Sequence, residues 1–236
     1  MATVVKETGQ AQAIREMFSR LAPFYDLGNR VLSLGQDQLW RCHAASLAQP
    51  DKPGLVLDIA AGTGDLALAV AGLGSHVIAL DFCSEMVDLG VKKSKRSRRG
   101  CKVSFVLGDA LHLPFPGDTF DAITIGFGIR NIPDLPRCLN EIKRVLKSGG
   151  RLVILELFQP VKGRGTAIQG YYLKNLVPTI GHWLTGQGIA YQYLTRSIHR
   201  FASAKDMGVS LENVGLNQVR ILRLSMGAAM IHMATK

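Results

Sequence analysis

Short apolar runs alternate with segments of helical periodicity through the middle of the chain. LVLDIA (55–60), HVIALD (76–81), KVSFVLGD (102–109), FDAITIGF (120–127) and RLVILEL (151–157) are short and rich in aliphatic residues, which predicts buried strands. Between them, residues 63–73 space Leu and Ala as a helix does, and a second helix begins at Ser84 with Met86, Val87 and Val91. Residues 134–147 align Leu135, Leu139, Ile142, Val145 and Leu146 on one stripe, and Gly149 and Gly150 stop that helix. Continuous apolar strands alternating with amphipathic helices predict an α/β fold, a Rossmann-like, mostly parallel sheet with helices on both faces.

The two ends of the chain read differently. Ile14, Met17, Phe18 and Leu21 have helical spacing, so residues 1–50 are expected to form a helical cap. The cofactor-binding core then spans 51–158, and a second cap, facing substrate and membrane, spans 159–217 with helices at 164–184 and 203–213. Residues 218–236 read as two strands around Ser-Met-Gly, a C-terminal antiparallel β-hairpin at the sheet edge. All four parts are expected to form one domain.

Composition narrows the class. The 236 residues suffice for one generous domain, and 47% hydrophobic with 19% charged residues excludes a disordered chain, a coiled coil and a collagen-like repeat. No apolar run approaches the roughly 20 residues of a membrane-spanning helix. MATVVKETGQ has no basic-then-apolar signal pattern, so a cytoplasmic location is expected. Cys42, Cys83, Cys101 and Cys138 form no CxxC pair, so neither a disulfide framework nor a metal is expected. The net charge of +10 is uneven: residues 151–236 hold 10 Lys+Arg against 3 Asp+Glu. Such a surface suits a polyanion, either a nucleic acid or an anionic membrane face. KKSKRSRR (92–99) reads as a solvated helix end and loop.

The candidate chemistry sits where strands end. The first strand runs into Asp58-Ile59-Ala60-Ala61-Gly62-Thr63-Gly64-Asp65, and ligands of open α/β sheets bind beyond such ends. Gly62-x-Gly64-x-x-Ala67, followed by Asp81, also satisfies the dinucleotide pattern. Asp58 disfavours that reading, because a carboxylate at the mouth of the loop repels a pyrophosphate. It suits S-adenosylmethionine, whose ammonium and sulfonium are positive. Asp81 can accept from ribose hydroxyls, Asp109 from an adenine amino group, and the small Ala110 leaves room for a flat ring.

The order LDIAAGTGDLA, ALDFCSEMV, GDALHLPFPGDTFDAITIGFGIRN, EIKRVLKSGGRLVILEL resembles class I S-adenosylmethionine-dependent methyltransferases. More narrowly, the chain is similar to the ubiquinone/menaquinone biosynthesis C-methyltransferase family. MFSRLAPFYDLGNRVLSLGQDQLWR (17–41), FDAITIGFGIRN (120–131), LELFQP (155–160) and YQYLTRSIHRF (191–201) carry that narrower likeness. Gly126 stands where many members have Ser, and Thr195 and Ala202 where prolines are usual. The resemblance places cofactor contacts on Thr63, Asp81, Asp109 and Ala110, beside Asp58, Gly62 and Gly64 from the loop. It implies S-adenosyl-L-methionine as methyl donor and ring-carbon methylation of a polyprenylated quinol, with demethylmenaquinol favoured over a ubiquinone precursor.

Such a reaction needs a phenol to lose its proton, so that electron density reaches the ring carbon. Arg130 and Asn131, just past the fourth strand, are the candidate catalytic pair. The alternative for Arg130 is an ion pair with Asp134. Tyr25 and Asp26 are candidate lid residues, and none of His43, His112, His182 and His199 is singled out as a base. YYLKNLVPTIGHWLTGQGIAYQYL (171–194) is a candidate groove for the prenyl tail that also rests on an anionic membrane. Peripheral contact with the cytoplasmic membrane face is therefore expected, and no nucleic-acid partner. Self-association as a homo-oligomer stays open. The rival readings are an O- or N-methyltransferase, an NAD(P)-dependent oxidoreductase, a basic nucleic-acid-binding protein and a non-catalytic scaffold.

Overall fold

The computed structural model describes residues 9–159 and 188–236. The expected helix at 164–184, His182 and most of the expected tail groove lie outside these residues. Three helices open the described chain: α1 (Gly9–Leu21), α2 (Tyr25–Leu32) and α3 (Gln36–Ala48). The core follows as β1 (Leu55–Ile59), α4 (Asp65–Ala71), β2 (His76–Asp81), α5 (Ser84–Lys95), β3 (Val103–Leu107), β4 (Phe120–Gly126), α6 (Leu135–Val145) and β5 (Leu146–Glu156). After the second gap come α7 (Gly188–Arg200), α8 (Ala204–Asn213), β6 (Asn217–Leu224) and β7 (Ala229–Thr235).

The seven strands form one sheet in the order β3-β2-β1-β4-β5-β7-β6. β1 to β5 are parallel, and β7 runs antiparallel between β5 and β6. The expected α/β sheet with its terminal hairpin is what forms. Chain order reverses at β1, which pairs with both β2 and β4. A crevice opens at such a reversal, at the carboxyl ends of the strands.

Each central strand is apolar on both sides because each side is covered. Leu57, Ile59, Ile123, Ile125, Leu152 and Ile154 pack with Leu139 and Ile142 of α6 and Met207 and Leu211 of α8. Their alternates Val56, Ala122, Val153 and Ile231 pack with Ala44, Ala45 and Ala48 of α3 and Leu66, Ala67 and Val70 of α4. The small alanines of α3 let that helix lie close to the sheet. The capping-box pair Ser203 and Asp206 starts α8, within the helix expected at 203–213.

Two boundaries differ from the periodicity. The helix expected to 147 ends at Val145, and β5 begins at Leu146, which is fully buried and pairs with Phe120. Burial against Phe120 draws the residue from the helix stripe into the sheet. Helix α7 takes in residues 191–200 of the tyrosine-rich segment, for which the periodicity gave no element.

Candidate active site

The loop after β1 is held in place by Asp81. The carboxylate at the end of β2 accepts from Gly62 N (2.7 Å) and from Cys83 N (2.9 Å). Burial pushes its pKa above the usual carboxylate range, against these two hydrogen bonds. Gly64 has φ +84, and a Cβ there would meet the Phe105 ring at 2.5 Å. That glycine therefore serves the packing of the turn as well as its left-handed backbone. A Cβ on Gly128 would lie 2.5 Å from that of Ala60. Bare backbone at 128 brings the loop after β4 against the loop after β1.

This close approach joins two groups of residues around one cavity of about 1000 Å³. Gly62, Asp81, Asp109 and Ala110 line it from the ends of the first three strands, and Phe127, Gly128 and Asn131 from the fourth. Phe18 and Tyr25 line it from the N-terminal helices, and their rings meet edge to face at 6.1 Å. Asp109 is half-exposed; its Oδ1 accepts from Leu111 N (2.8 Å), and its Oδ2 lies 3.3 Å from His112 Nδ1. Arg137 reaches the far side of that imidazole and donates to Leu111 O (3.1 Å).

Asp58, Thr63, Gly64 and Arg130 are not among the lining residues. Asp58 was expected at the mouth of the loop but lies fully buried beneath it, because it falls inside β1, between Ala79 of β2 and Thr124 of β4. Its Oδ1 accepts from the Thr124 hydroxyl (2.7 Å), and its Oδ2 has no hydrogen-bond partner among the described residues. Desolvation pushes its pKa up to about 7, against the Thr124 bond and the Arg41 charge. Between about pH 4 and pH 7 the folded protein thus holds a proton that the unfolded chain has released. Stability should fall across that window as pH rises, by up to about 4 kcal/mol. Asp58→Asn should lessen the slope by this share, leaving the variant the more stable form above neutrality. Urea midpoints at about pH 5 and about pH 8 test this; an unchanged slope refutes it.

Thr63 donates to Asp26 Oδ1 (2.5 Å), which joins the loop to the start of α2. Lys93 of α5 donates to Asp26 Oδ2 (2.6 Å) and pairs with Asp65, whose carboxyl its charge helps hold below the usual range against burial. Gln38 of α3 donates to the same Asp65 (3.1 Å). KKSKRSRR is therefore not wholly a solvated face: Lys93 ties three helices to the glycine loop. Sequence patterning could not single it out among six like charges.

Arg130 follows β4 in a short 3-10 turn, Ile129–Asn131. The expected alternative partner, Asp134, instead caps α6 by accepting from Arg137 N (3.0 Å). Arg130 pairs with Glu156, the fully buried last residue of β5, and also donates to Phe127 O (2.7 Å). Glu156 further accepts from Leu157 N (2.7 Å). Burial still leaves this carboxyl above its usual range, against the Arg130 charge. The Tyr193 hydroxyl of α7 donates to Asn131 Oδ1 (3.2 Å). Burial raises the Tyr193 pKa, and the nearby Arg130 charge opposes that. Glu156 and Tyr193 were missed as site residues, although LELFQP and YQYLTRSIHRF contain them. The only signal was a polar residue inside an otherwise apolar or aromatic run.

The donor set fits S-adenosylmethionine. Two carboxylates at successive strand ends, Asp81 and Asp109, face the cavity beside a glycine turn and a small alanine. These can accept from ribose hydroxyls and an adenine amine. Among the described residues no group of His, Cys, Asp and Glu is arranged to hold a metal, and no helix is long and apolar enough to cross a membrane.

Comparison with known proteins agrees with this geometry. The family model for the ubiE/COQ5 methyltransferase family matches residues 3–236. The chain is 41% identical over 222 residues to a demethylmenaquinone methyltransferase of Thermus thermophilus, covering 93% of this chain and all of that protein. It is 38% identical over 230 residues to a ubiquinone/menaquinone biosynthesis C-methyltransferase UbiE of a Geobacter species, covering 96% and 97% of the two chains. Among solved structures, a SAM-dependent methyltransferase of Thermotoga maritima matches with TM-score 0.68 at 20% identity, covering 94% of this chain and 99% of that one. One from Aquifex aeolicus matches with TM-score 0.55 at 20% identity, covering 77% and 81%. A loop gripped by Asp81, a second acid one strand further on and Asn131 across the same crevice thus sit on a matching fold and a matching sequence, and the chain belongs to the ubiE/COQ5 methyltransferase family.

Proposed function

We propose that the chain methylates a ring carbon of demethylmenaquinol, using S-adenosylmethionine as donor. The observation that carries this reading is the single cavity shared by Asp81 and Asp109 on one side and Asn131 on the other. Family membership makes the chain a methyltransferase, and the name of the Thermus relative supports this substrate. The name of the Geobacter relative supports a second substrate, the ubiquinone precursor.

Asp81 would hold the ribose, Asp109 the adenine amine, and Ala110 would lie against the ring. Gly62, Thr63 and Gly64 set the loop. Asp58 supports the loop from beneath, bonded to Thr124. When bound, S-adenosylmethionine supplies an electrophilic sulfonium methyl. The protein's part is to align the ring carbon with it and favour the phenolate form of the neighbouring ring oxygen. Arg130, buried behind the cavity wall and anchored through Glu156, would act through its charge and by holding the turn that carries Asn131. Asn131 presents its carbonyl oxygen to Tyr193, which leaves its amide N–H groups to donate to a ring oxygen.

The substrate must be the quinol, because the quinone has no phenol to ionise. Its polyprenyl tail resides in a bilayer, so the enzyme works at an anionic membrane surface on the cytoplasmic side. The decisive assay combines purified protein, methyl-labelled S-adenosylmethionine and either reduced demethylmenaquinol or the reduced ubiquinone precursor in detergent. Label on the ring carbon is expected with demethylmenaquinol, and none with the oxidised quinone. Tight cofactor binding with no transfer to either quinol would sink the assignment.

A further inference from the structure

Two apolar side chains are held out into solvent on backbone that ordinarily belongs to glycine. Leu34, between α2 and α3, has φ +53 and is 78% exposed. Met226, at the β6–β7 turn, has φ +57 and is 99% exposed, and Ser225 before it has φ +45. Such backbone is unfavourable for side chains other than Gly, Asn or Asp. Hydrogen bonds hold the arrangement. Ser225 Oγ accepts from Trp40 Nε1 (2.9 Å) and donates to Gln36 Oε1, so the tip of the hairpin is tied to α3, two residues from Leu34. Leu39, on the same helix, is 70% exposed, and Leu27 of α2 is also exposed.

Exposed cations flank this lip. Arg30, beside Leu34, and Arg220, on the α3 face of β6, are exposed; residues 213–236 contain no acid, and the one acid between 27 and 50 is Asp37, buried against Arg41. The position matters as well. β7 is antiparallel to β5, and Met230 pairs with Glu156, so the turn carrying Met226 emerges at the end of the sheet that holds Arg130 and Asn131. Helix α2 links the two places, with Tyr25 in the cavity wall at its start and Leu34 just past its end.

We propose that Leu34, Leu39 and Met226, flanked by Arg30 and Arg220, form the surface by which the protein docks on an anionic lipid bilayer. This rests on the reading that the substrate carries a polyprenyl tail. Apolar tips beside exposed cations suit an interface with anionic headgroups above acyl chains. A nucleic acid would call for stacking aromatic side chains beside the cations.

The test is flotation with vesicles of phosphatidylcholine, with and without phosphatidylglycerol. Asparagine tolerates the left-handed backbone, so L34N/M226N removes both apolar tips without adding strain. The double variant should bind phosphatidylglycerol vesicles at least about tenfold more weakly than the parent. Methylation of vesicle-borne demethylmenaquinol should fall with it. Turnover of a tail-less, water-soluble naphthoquinol should not change, and its failure in the parent would count against the quinol reading instead. R30E, beside Leu34, is an independent arm, expected to weaken binding to phosphatidylglycerol vesicles in a salt-dependent way. Parent protein that does not bind, or variants that bind as the parent does, overturn the proposal. A dimeric parent and a monomeric double variant, seen by light scattering, would assign the face to a second copy of the chain and also overturn it.

Discussion

Glu156→Gln should cut turnover by at least about a hundredfold and lower stability by about 3–5 kcal/mol, while S-adenosylmethionine affinity changes less than about threefold. Glu156 is fully buried at the end of β5, and the paired Arg130 side chain is also buried. Glutamine keeps the shape and one acceptor but leaves the guanidinium without its counter-charge. A buried charge stripped of its partner costs several kcal/mol, whereas exposed pairs are worth little. For a chain of this size the loss corresponds to a fall in Tm on the order of 10 °C. Turnover suffers separately, because Arg130 is anchored by Glu156 and the Phe127 carbonyl and would lose the first anchor. Asn131 sits one residue further on, so a displaced 3-10 turn moves both proposed catalytic groups. Turnover, thermal unfolding and calorimetric cofactor titration on one preparation check all three parts. A variant with full turnover would remove Arg130 from the chemistry.

Asp81→Asn should raise the KM for S-adenosylmethionine by about a hundred- to a thousandfold, with a much smaller change in kcat for bound cofactor. The carboxylate accepts one backbone N–H on each oxygen, from Gly62 and from Cys83. An amide has only one accepting end. Whichever way it turns, its NH₂ faces one of those N–H groups, and one buried donor loses its bond. Hydrogen bonds to charged groups contribute about 1.5–3 kcal/mol each, and the proposed ribose contacts would weaken too. The loop would relax away from the conformation that Gly62 and Gly64 shape, mainly a binding defect. Steady-state kinetics over a wide cofactor range separate KM from kcat. An unchanged KM would exclude Asp81 from the cofactor site.

The strand and helix alternation of residues 55–157 was legible because β1 to β5 are buried on both faces and α6 carries a clear stripe. Periodicity reports burial, and here burial follows from local order along the chain. The strand-end acids Asp81 and Asp109 were legible for a related reason. In a parallel sheet every strand delivers its last residue to the same end, so position in sequence becomes position in space. Asp58 broke that rule: it stands one residue before the end of β1, flanked by β2 and β4, and is fully buried beneath the loop. Lys93 was invisible because its partners, Asp26 and Asp65, lie far away in sequence on α2 and α4.

Glu156 shows the remaining limit. One acid in LELFQP carries no mark of its partner, and the nearer Asp134 looked the better candidate for Arg130. The choice follows from β5 lying next to β4, which brings the buried end of one strand to the turn after the other. By itself the sequence determined the layered α/β architecture, the family likeness and the acids at the strand ends, because these depend on local pattern and on strand direction. Only the tertiary structure decided which charges are paired, which acid is buried and which apolar side chains stand exposed. Ion pairing and burial are set by distances between segments remote in the chain, and no local pattern encodes those distances.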